Sequence, residues 1–593
     1  MFSLRRVLRG PDASVRSLAV QANEPVEAQQ STVFEILTRH LLYRLVHNEA
    51  LGEEIPTRMT QVAYMLALPG VLMALYLFAA YHQPKAIGPR PYWNQISDHY
   101  VYTVYAFVVM GIVTVFEWEL LFPDLLDVFV LTTLPIPKRV LLLARLMALA
   151  IFLALALVGI NFLGTLFFPA VADLHGMWWR HLTVHAMAVA MAGTFSAALF
   201  IALQGGLLCL LGRRIFGWVS PLVQALSMVA LLTVLFLTPL ISTHLQPLLY
   251  SGSAAVRFFP PFWFLGVYEF LLRGSAALPI YLPLAQMAAA ATVGALILAM
   301  ASYPLAYARR VRQMVEGVAS THKRSVIAGM GRRLLHVTLL RRPQLRAIYH
   351  FISQTMLRIP RLRLYLTIYS GVGLSLAISG ILLLDIHEGH IGFRCSEWGV
   401  RSAVPLLAFL LVLGMRTAMD APVGLQGSWV FVVIHGRPLP EHLRAVFLWV
   451  SVCISAVMIA SMAVLHLFAP AVQRDLLAVA AQIVVAIGLT VLLARTFLLR
   501  IREIPFTAIR VPATSDLPIS FVRYSVIFPA FVLFVIEHEP WIEASAVHLF
   551  ETTLLFFAAY AFLGYLRRLY LKKRESDSPS GDAVLVHRLG LQE

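Results

Sequence analysis

Charge is scarce in this chain. Of 593 residues only 13% are charged, against 59% hydrophobic, where a soluble globular domain carries roughly a quarter charged residues. That imbalance excludes a soluble protein of this length and leaves one that is solvated by lipid. Lysine is scarcest of the charged types, occurring only at Lys85, Lys138, Lys323, Lys572 and Lys573. None of them follows a glycine, so the GxxxxGK loop whose amides and lysine cradle a nucleotide's phosphates is missing. The chain is therefore not expected to hydrolyse ATP by that route. Cysteine is limited to Cys209, Cys395 and Cys453, far apart in sequence, which excludes a disulfide framework or a zinc-ligand spacing. The opening stretch MFSLRRVLRGPDASVRSLAV is basic but holds no apolar run, so it does not read as a cleaved signal peptide. The formal net charge is +16, yet no basic soluble domain exists to carry nucleic-acid binding.

What the chain has is length and repeated apolar runs. A helix needs about 20 predominantly apolar residues to cross the hydrocarbon core of a bilayer. Twelve runs qualify, at 61–81, 100–118, 140–168, 184–212, 217–242, 281–306, 364–384, 401–416, 443–469, 475–497, 521–537 and 546–566. With the N-terminus in the cytoplasm, about 37 of the lysines and arginines fall on cytoplasmic connections and about 8 on outer ones, as positive-inside topology requires. The expected fold is an all-α polytopic membrane protein of about twelve transmembrane helices, with both termini cytoplasmic.

Two landmarks recur. IPTRMTQ, with Pro56, precedes the first run, and IPRLRLY, with Pro360, precedes the seventh, 304 residues later. LPIPKR, with Pro135 and Pro137, follows the second run, and RPLPEH, with Pro438 and Pro440, follows the eighth, 303 residues on. The spacing points to two tandem six-helix units, the alternative being unrelated proline-rich turns. The expected division is a cytoplasmic segment 1–60 with an amphipathic helix, a first membrane unit 61–306, a basic linker 307–363 with a second amphipathic helix, a second membrane unit 364–566 and a cytoplasmic tail 567–593.

The stretch FPDLLDVFVLTTLPIPKRVLLLARL, between the second and third runs, is more than a turn. Phe122, Leu125, Leu126 and Phe129 recur at helical spacing, Pro123 suits a first turn, and Asp124 and Asp127 complement the positive end of the helix dipole. The pattern predicts a short amphipathic helix at the cytoplasmic surface. Pro135 and Pro137 cannot continue it, and Lys138 and Arg139 hold the mouth of the third span on that side. The counterpart in the second half carries Asp420, Pro422, Trp429 and Phe431 ahead of Pro438 and Pro440. Such a helix either rests passively in the headgroups or offers a contact surface to an outside engine.

This order of parts resembles the permease subunits of ABC-2-type transporters. Their amphipathic elbow helix corresponds to STVFEILTRHLLYRLVHNEALGEEIP in the first half and RRPQLRAIYHFISQTMLRIP in the second. The latter places Leu345, Ile348, Ile352, Met356 and Ile359 on one face, as an interfacial helix does. Between the fifth and sixth runs, VRFFPPFWFLGVYEFLLRG is similar to the family's outer gate element, here with Pro260, Pro261, Trp263 and Phe264. The matching connection of the second half, EHEPWIEASAVHLFE, is short, which makes the halves inequivalent. The resemblance implies a fused pseudo-dimer in a bacterial inner membrane, usually an exporter. It also implies separate ABC ATP-binding subunits that carry the ATP and Mg. These would dock near Asp124, Asp127, Pro135, Pro137, Lys138 and Arg139, and near Pro422, Trp429, Pro438 and Pro440. No catalytic residue, metal or cofactor is expected in the chain itself.

Two other classes stay open. An ion-coupled secondary transporter of 6+6 architecture needs ionisable groups at membrane depth, and the runs offer Arg145, Arg523, His466 and Glu551. The polar Asn161, Gln204, Gln224, Gln286 and Gln482 are expected to make interhelical hydrogen bonds. A membrane-embedded enzyme is less favoured. HEGH, with His387, Glu388 and His390, has its histidines three apart where a zinc protease helix needs four. Glu537, His538, Glu539, Glu543 and His548 offer ligands for a metal but read rather as a solvated acidic outer loop, and Asp98 is the one acid in the first outer connection.

Overall fold

The computed structural model describes residues 26–46, 55–82, 90–123, 125–131, 133–172, 177–251, 253–315, 333, 335–387, 390–420, 440–468, 476–499, 501, 504–506 and 516–576. In chain order the helices are α1 (Val26–Val46), α2 (Ile55–Tyr81), α3 (Tyr92–Phe116), α4 (Leu125–Leu131), α5 (Lys138–Ala172), α6 (Trp178–Leu210), α7 (Arg213–Thr243), α8 (Leu245–Tyr250), α9 (Ala254–Phe258), α10 (Pro260–Arg273) and α11 (Tyr281–Val315). They continue with α12 (Pro343–Arg358), α13 (Pro360–Ile381), α14 (Glu397–Asp420), α15 (Pro440–Phe468), α16 (Leu476–Phe497), α17 (Asp516–Glu543) and α18 (Ala546–Ser576).

A helix lies over each of the twelve apolar runs. Among the described residues, ten are long and apolar enough to cross a membrane. The other two are α2, whose described apolar part is the shorter Leu66–Tyr81, and α17. The chain is an all-α multi-pass membrane protein. One element departs from that class: strands β1 (Leu382–His387) and β2 (His390–Cys395) form a two-stranded sheet where an outer loop was expected. Asp385 and Arg394 pair across it at 2.5 Å. Glu388 of the HEGH stretch lies outside the described residues, as do the side chains of His387 and His390.

Contacts divide the chain into two compact units, Met1–Ser227 with Thr238–Ala319 and Glu388–His390, and Met228–Leu237 with Ser320–His387 and Ile391–Glu593. In the first, Leu37, Leu41, Leu42 and Leu45 of α1 are buried against Leu141, Ala144, Ala148 and Phe152 of α5. The elbow is thus a docked helix, with its apolar stripe spent on protein. α3 and α5 pack on α6, α6 packs on α11, and α10 is seated on α3, α6 and α11. α2 lies against α5 at a point where a side chain on Gly70 would fall 3.2 Å from the backbone of Gly164. Tyr102 locks that crossing by donating its hydroxyl proton to the Gly70 carbonyl at 2.9 Å. Small residues at the crossing let two membrane helices approach closely, which is where packing energy comes from when lipid competes on equal terms.

In the second unit, Leu345, Ile348, Ile352 and Met356 of α12 are buried in a cluster with Leu443, Val446 and Val450 of α15. α14 and α15 pack on α16, and α16 packs on α18. In both units the amphipathic helix therefore sits on the third long helix, the second and third pack on the fourth, and the fourth packs on the sixth. They differ at the first: α2 packs on α5, but α13 packs on α14.

Gly164→Leu is expected to force α2 and α5 apart and to destabilise the detergent-purified chain by about 1–3 kcal/mol, the usual cost of overpacking, read as a lowered thermal unfolding midpoint.

Candidate functional site

The first unit holds two polar networks, one at each end of its long helices. The first is built on α4. The chain leaves α3 at Glu117, turns through Trp118 to Pro123 and enters this helix of two turns. Asp127 is buried there. Its Oδ2 accepts a hydrogen bond from Arg145 Nη1 of α5 at 2.9 Å, and its Oδ1 accepts one from Arg44 Nη1 of α1. Arg145, itself buried, also donates to the carbonyls of Leu120 at 2.6 Å and Phe122 at 3.2 Å. One carboxylate thus joins the elbow, the short helix and a membrane-spanning helix.

The turn ahead of α4 is held just as firmly. Tyr303 of α11 donates to the Leu121 carbonyl at 2.7 Å and stacks on Phe122, with ring centroids 4.8 Å apart. Gln204 of α6 donates to the Trp118 carbonyl at 2.5 Å, and Gln224 of α7 to the Val115 carbonyl at 3.0 Å. Trp118 Nε1 donates to Ser220 Oγ at 2.9 Å. Gln204 and Gln224 so make the interhelical bonds expected of them, whereas Asn161 bonds within its own helix, to Leu157.

The structure corrects the expected facing of α4. Phe129 is exposed and Asp127 is buried, because Arg44 and Arg145 supply counter-charges inside and a helix this short has little dipole to offer an acid. Phe122 is buried but precedes the helix. Phe129, Val130 and Leu134 form an exposed apolar edge, followed by exposed Pro135, Pro137, Lys138 and Arg139. Asp124, Pro422, Trp429 and Pro438 lie outside the described residues, and Pro440 opens α15.

The second network lies at the other ends of α3, α5 and α6, beneath α10. Pro260 and Pro261 occupy the first turn of α10, where a missing amide costs nothing. Gly274 ends the helix at φ +57°, a conformation other residues adopt only under strain. Phe264 is buried between Phe107 and Phe195, and Trp263, half-buried, donates its indole proton to the Arg257 carbonyl at 2.6 Å. Beyond these four expected residues come two that sequence reasoning missed, Tyr268 and Glu269, both fully buried.

Glu269 faces the ring of His99 on α3, with Nδ1 to Oε1 at 2.5 Å, and accepts a hydrogen bond from Arg273 Nε at 2.7 Å. Burial alone would raise its pKa, but His99 and Arg273 outweigh burial and hold the carboxyl below its ordinary value. Tyr268 stacks on His99, ring centroids 4.1 Å apart. Its hydroxyl lies 2.9 Å from His181 Nε2 and 3.0 Å from His185 Nδ1 on α6. A single hydroxyl donates to one ring nitrogen and must accept from the other ring's N–H, which fixes a direction along the line. Phe168 of α5 touches all three histidine rings. Beside them Asp98 is neutralised by Arg90, at 2.7 and 2.8 Å, and by the Tyr81 hydroxyl at 2.9 Å. The acid of the first outer connection is therefore a paired structural group.

Comparison with protein-family models, with curated proteins and with solved structures found no match for this chain. Among the described residues, no group of three or more histidines, cysteines and acids has the geometry to hold a metal ion. In the second unit the expected acidic loop is instead the last turns of α17. Glu539 is buried there, and burial and the neighbouring Glu543 push its pKa up to about 7, against the opposing pull of Arg401 and Gln482. Gln482 of α16 donates to Glu543 at 3.2 Å.

Two outcomes follow from this geometry. Asp127→Ala leaves Arg145 buried without its anion and is expected to cost about 3–5 kcal/mol. Arg44→Ala, which removes a partly exposed partner, costs much less; thermal unfolding of the two variants separates them. For Glu269, a carboxyl whose pKa folding lowers adds stability above the ordinary value of about 4.3 and loses it as the pH falls through the lower folded value. Glu269→Gln should therefore be less stable than wild type at neutral pH by about 1.5–3 kcal/mol, with the difference shrinking toward zero in acid.

Proposed function

We propose that this chain is the membrane-spanning permease subunit of an ATP-driven transporter of the ABC-2 type, an exporter in a bacterial inner membrane, energised by separate ATP-binding subunits. The observation that carries the reading is the Arg44–Asp127–Arg145 clamp. A passive interfacial helix needs no buried ion pair to its neighbours, whereas a helix that receives a push must be tied to the parts it moves.

In this reading a partner subunit grips the exposed edge of Phe129, Val130 and Leu134 together with Lys138 and Arg139. Nucleotide-driven closure of the partner displaces α4. Asp127 passes the displacement to α1 and to α5 without slack, because both ends of the carboxylate are held. α5 is a single helix from Arg145 to Phe168, a run of about 35 Å at 1.5 Å per residue, and Phe168 sits among the histidine rings under α10. Movement at one end of α5 thus reaches the packing that seats Trp263, Phe264 and Glu269. The shared packing of the two units, with an amphipathic helix on the third long helix of each, supports a tandem duplication of this lever.

A second reading has its own observation. Five ionisable groups within the buried outer network, Asp98, His99, His181, His185 and Glu269, are the kind that ion-coupled carriers keep at membrane depth. The His181–Tyr268–His185 line favours a proton as the coupling ion.

Purification of the tagged chain from its native membranes tests both. Recovery of a stand-alone ATP-binding subunit, lost in Phe129→Glu and Val130→Asp variants that still fold, is the expected result. Repeated recovery of the chain alone would overturn the ATP-driven reading in favour of the proton-coupled carrier.

A further inference from the structure

The second unit contains a pair of cations with no counter-charge among the described residues. Arg495 lies in the last turn of α16, and Arg567 lies near the end of the apolar stretch of α18. The Arg495 guanidinium packs on two neighbouring rings, its central carbon 5.3 Å from the Phe447 centroid and 4.6 Å from that of Tyr560. Its Nη2 occupies the notch at Gly564, where a methyl group would fall 2.8 Å away. Its Nε is buried and has no acceptor. Arg567 lies one helical turn beyond Gly564 on the same face of α18, which brings two like charges together. Neither makes an ion pair or a side-chain hydrogen bond among the described residues.

A guanidinium presents five N–H donors in a rigid fork and accepts none. Two such forks close together present several N–H donors that an anion with several oxygens can satisfy at once. Phosphate matches two forks by paired, charge-assisted hydrogen bonds.

We propose that Arg495 and Arg567 form a binding site for a phosphate-bearing anion. Both residues stand where apolar helices end, the depth at which lipid headgroups lie, so the phosphate of an anionic phospholipid is the occupant this position favours. Bound there, the headgroup cancels the repulsion between α16 and α18 and clips the two helices together.

The test uses the full chain, purified in a non-ionic detergent and titrated with short-chain phosphatidylglycerol, with phosphatidylcholine of the same chain length, and with inorganic phosphate, reading the thermal unfolding midpoint. The expected result is a rise with phosphatidylglycerol well above that with phosphatidylcholine. Arg495→Gln and Arg567→Gln should each weaken the apparent affinity about tenfold or more, and Arg568→Gln on the exposed face should leave it unchanged. Arg495→Lys keeps the charge without the fork and should fall between. Should Arg495→Gln not fold, Arg567→Gln carries the test alone, since no ring packs on it. A rise with inorganic phosphate that both variants abolish upholds the site and assigns it to a soluble phosphate. Equal rises with the two lipids, or a phosphatidylglycerol effect retained in Arg567→Gln, overturn it.

Discussion

A carboxylate placed among apolar helices must find a cation, because its desolvation is not otherwise recovered. Asp127 meets that constraint twice over, and much of the first unit is arranged around how it does so. Arg145 reaches it from α5 and spends its remaining donors on the carbonyls of the turn ahead of α4, groups that water would otherwise have to satisfy. Arg44 reaches it from α1, which brings the apolar stripe of that helix down on α5. The position of the elbow, the angle of the short helix and the path of the chain out of α3 are settled together by one acid and two bases.

The opposite end of the same helices repeats the constraint with different chemistry. Glu269 is sealed beneath α10 and balanced by His99 and Arg273, while Asp98 is balanced by Arg90 and Tyr81. The aromatic rings of Phe168 and Tyr268 fill the space between. What distinguishes this end is the presence of three buried histidines around one buried phenol. The two networks share α3, α5 and α6.

The legible parts of this protein were those written in local periodicity. The amphipathic face of α12 was readable because Leu345, Ile348, Ile352 and Met356 recur every three or four residues, and the structure buries those same positions. The proline joint after α4 was readable because proline acts on its own backbone. The network beneath α10 was not, for two reasons. Apolar windows trim polar residues from helix ends, so the fourth run begins at 184 and the second at 100, which leaves His181, Asp98 and His99 outside them. The spacing of His181 and His185, four apart on one helical face, was the one local sign available. Glu269 carried no local signal because its partner His99 is 170 residues distant.

Composition by itself determined the class of this protein, the approximate number of its helices, their order and the short amphipathic elements between them, since each of these follows from how a stretch of about 20 residues or fewer partitions between water and lipid. Only the tertiary structure decided which charges meet. The sequence places Asp127 on a short amphipathic helix and leaves its facing open. Its actual direction depends on Arg44, 83 residues before it, and Arg145, 18 after it. Electrostatic energy falls with distance in space and takes no account of distance along the chain.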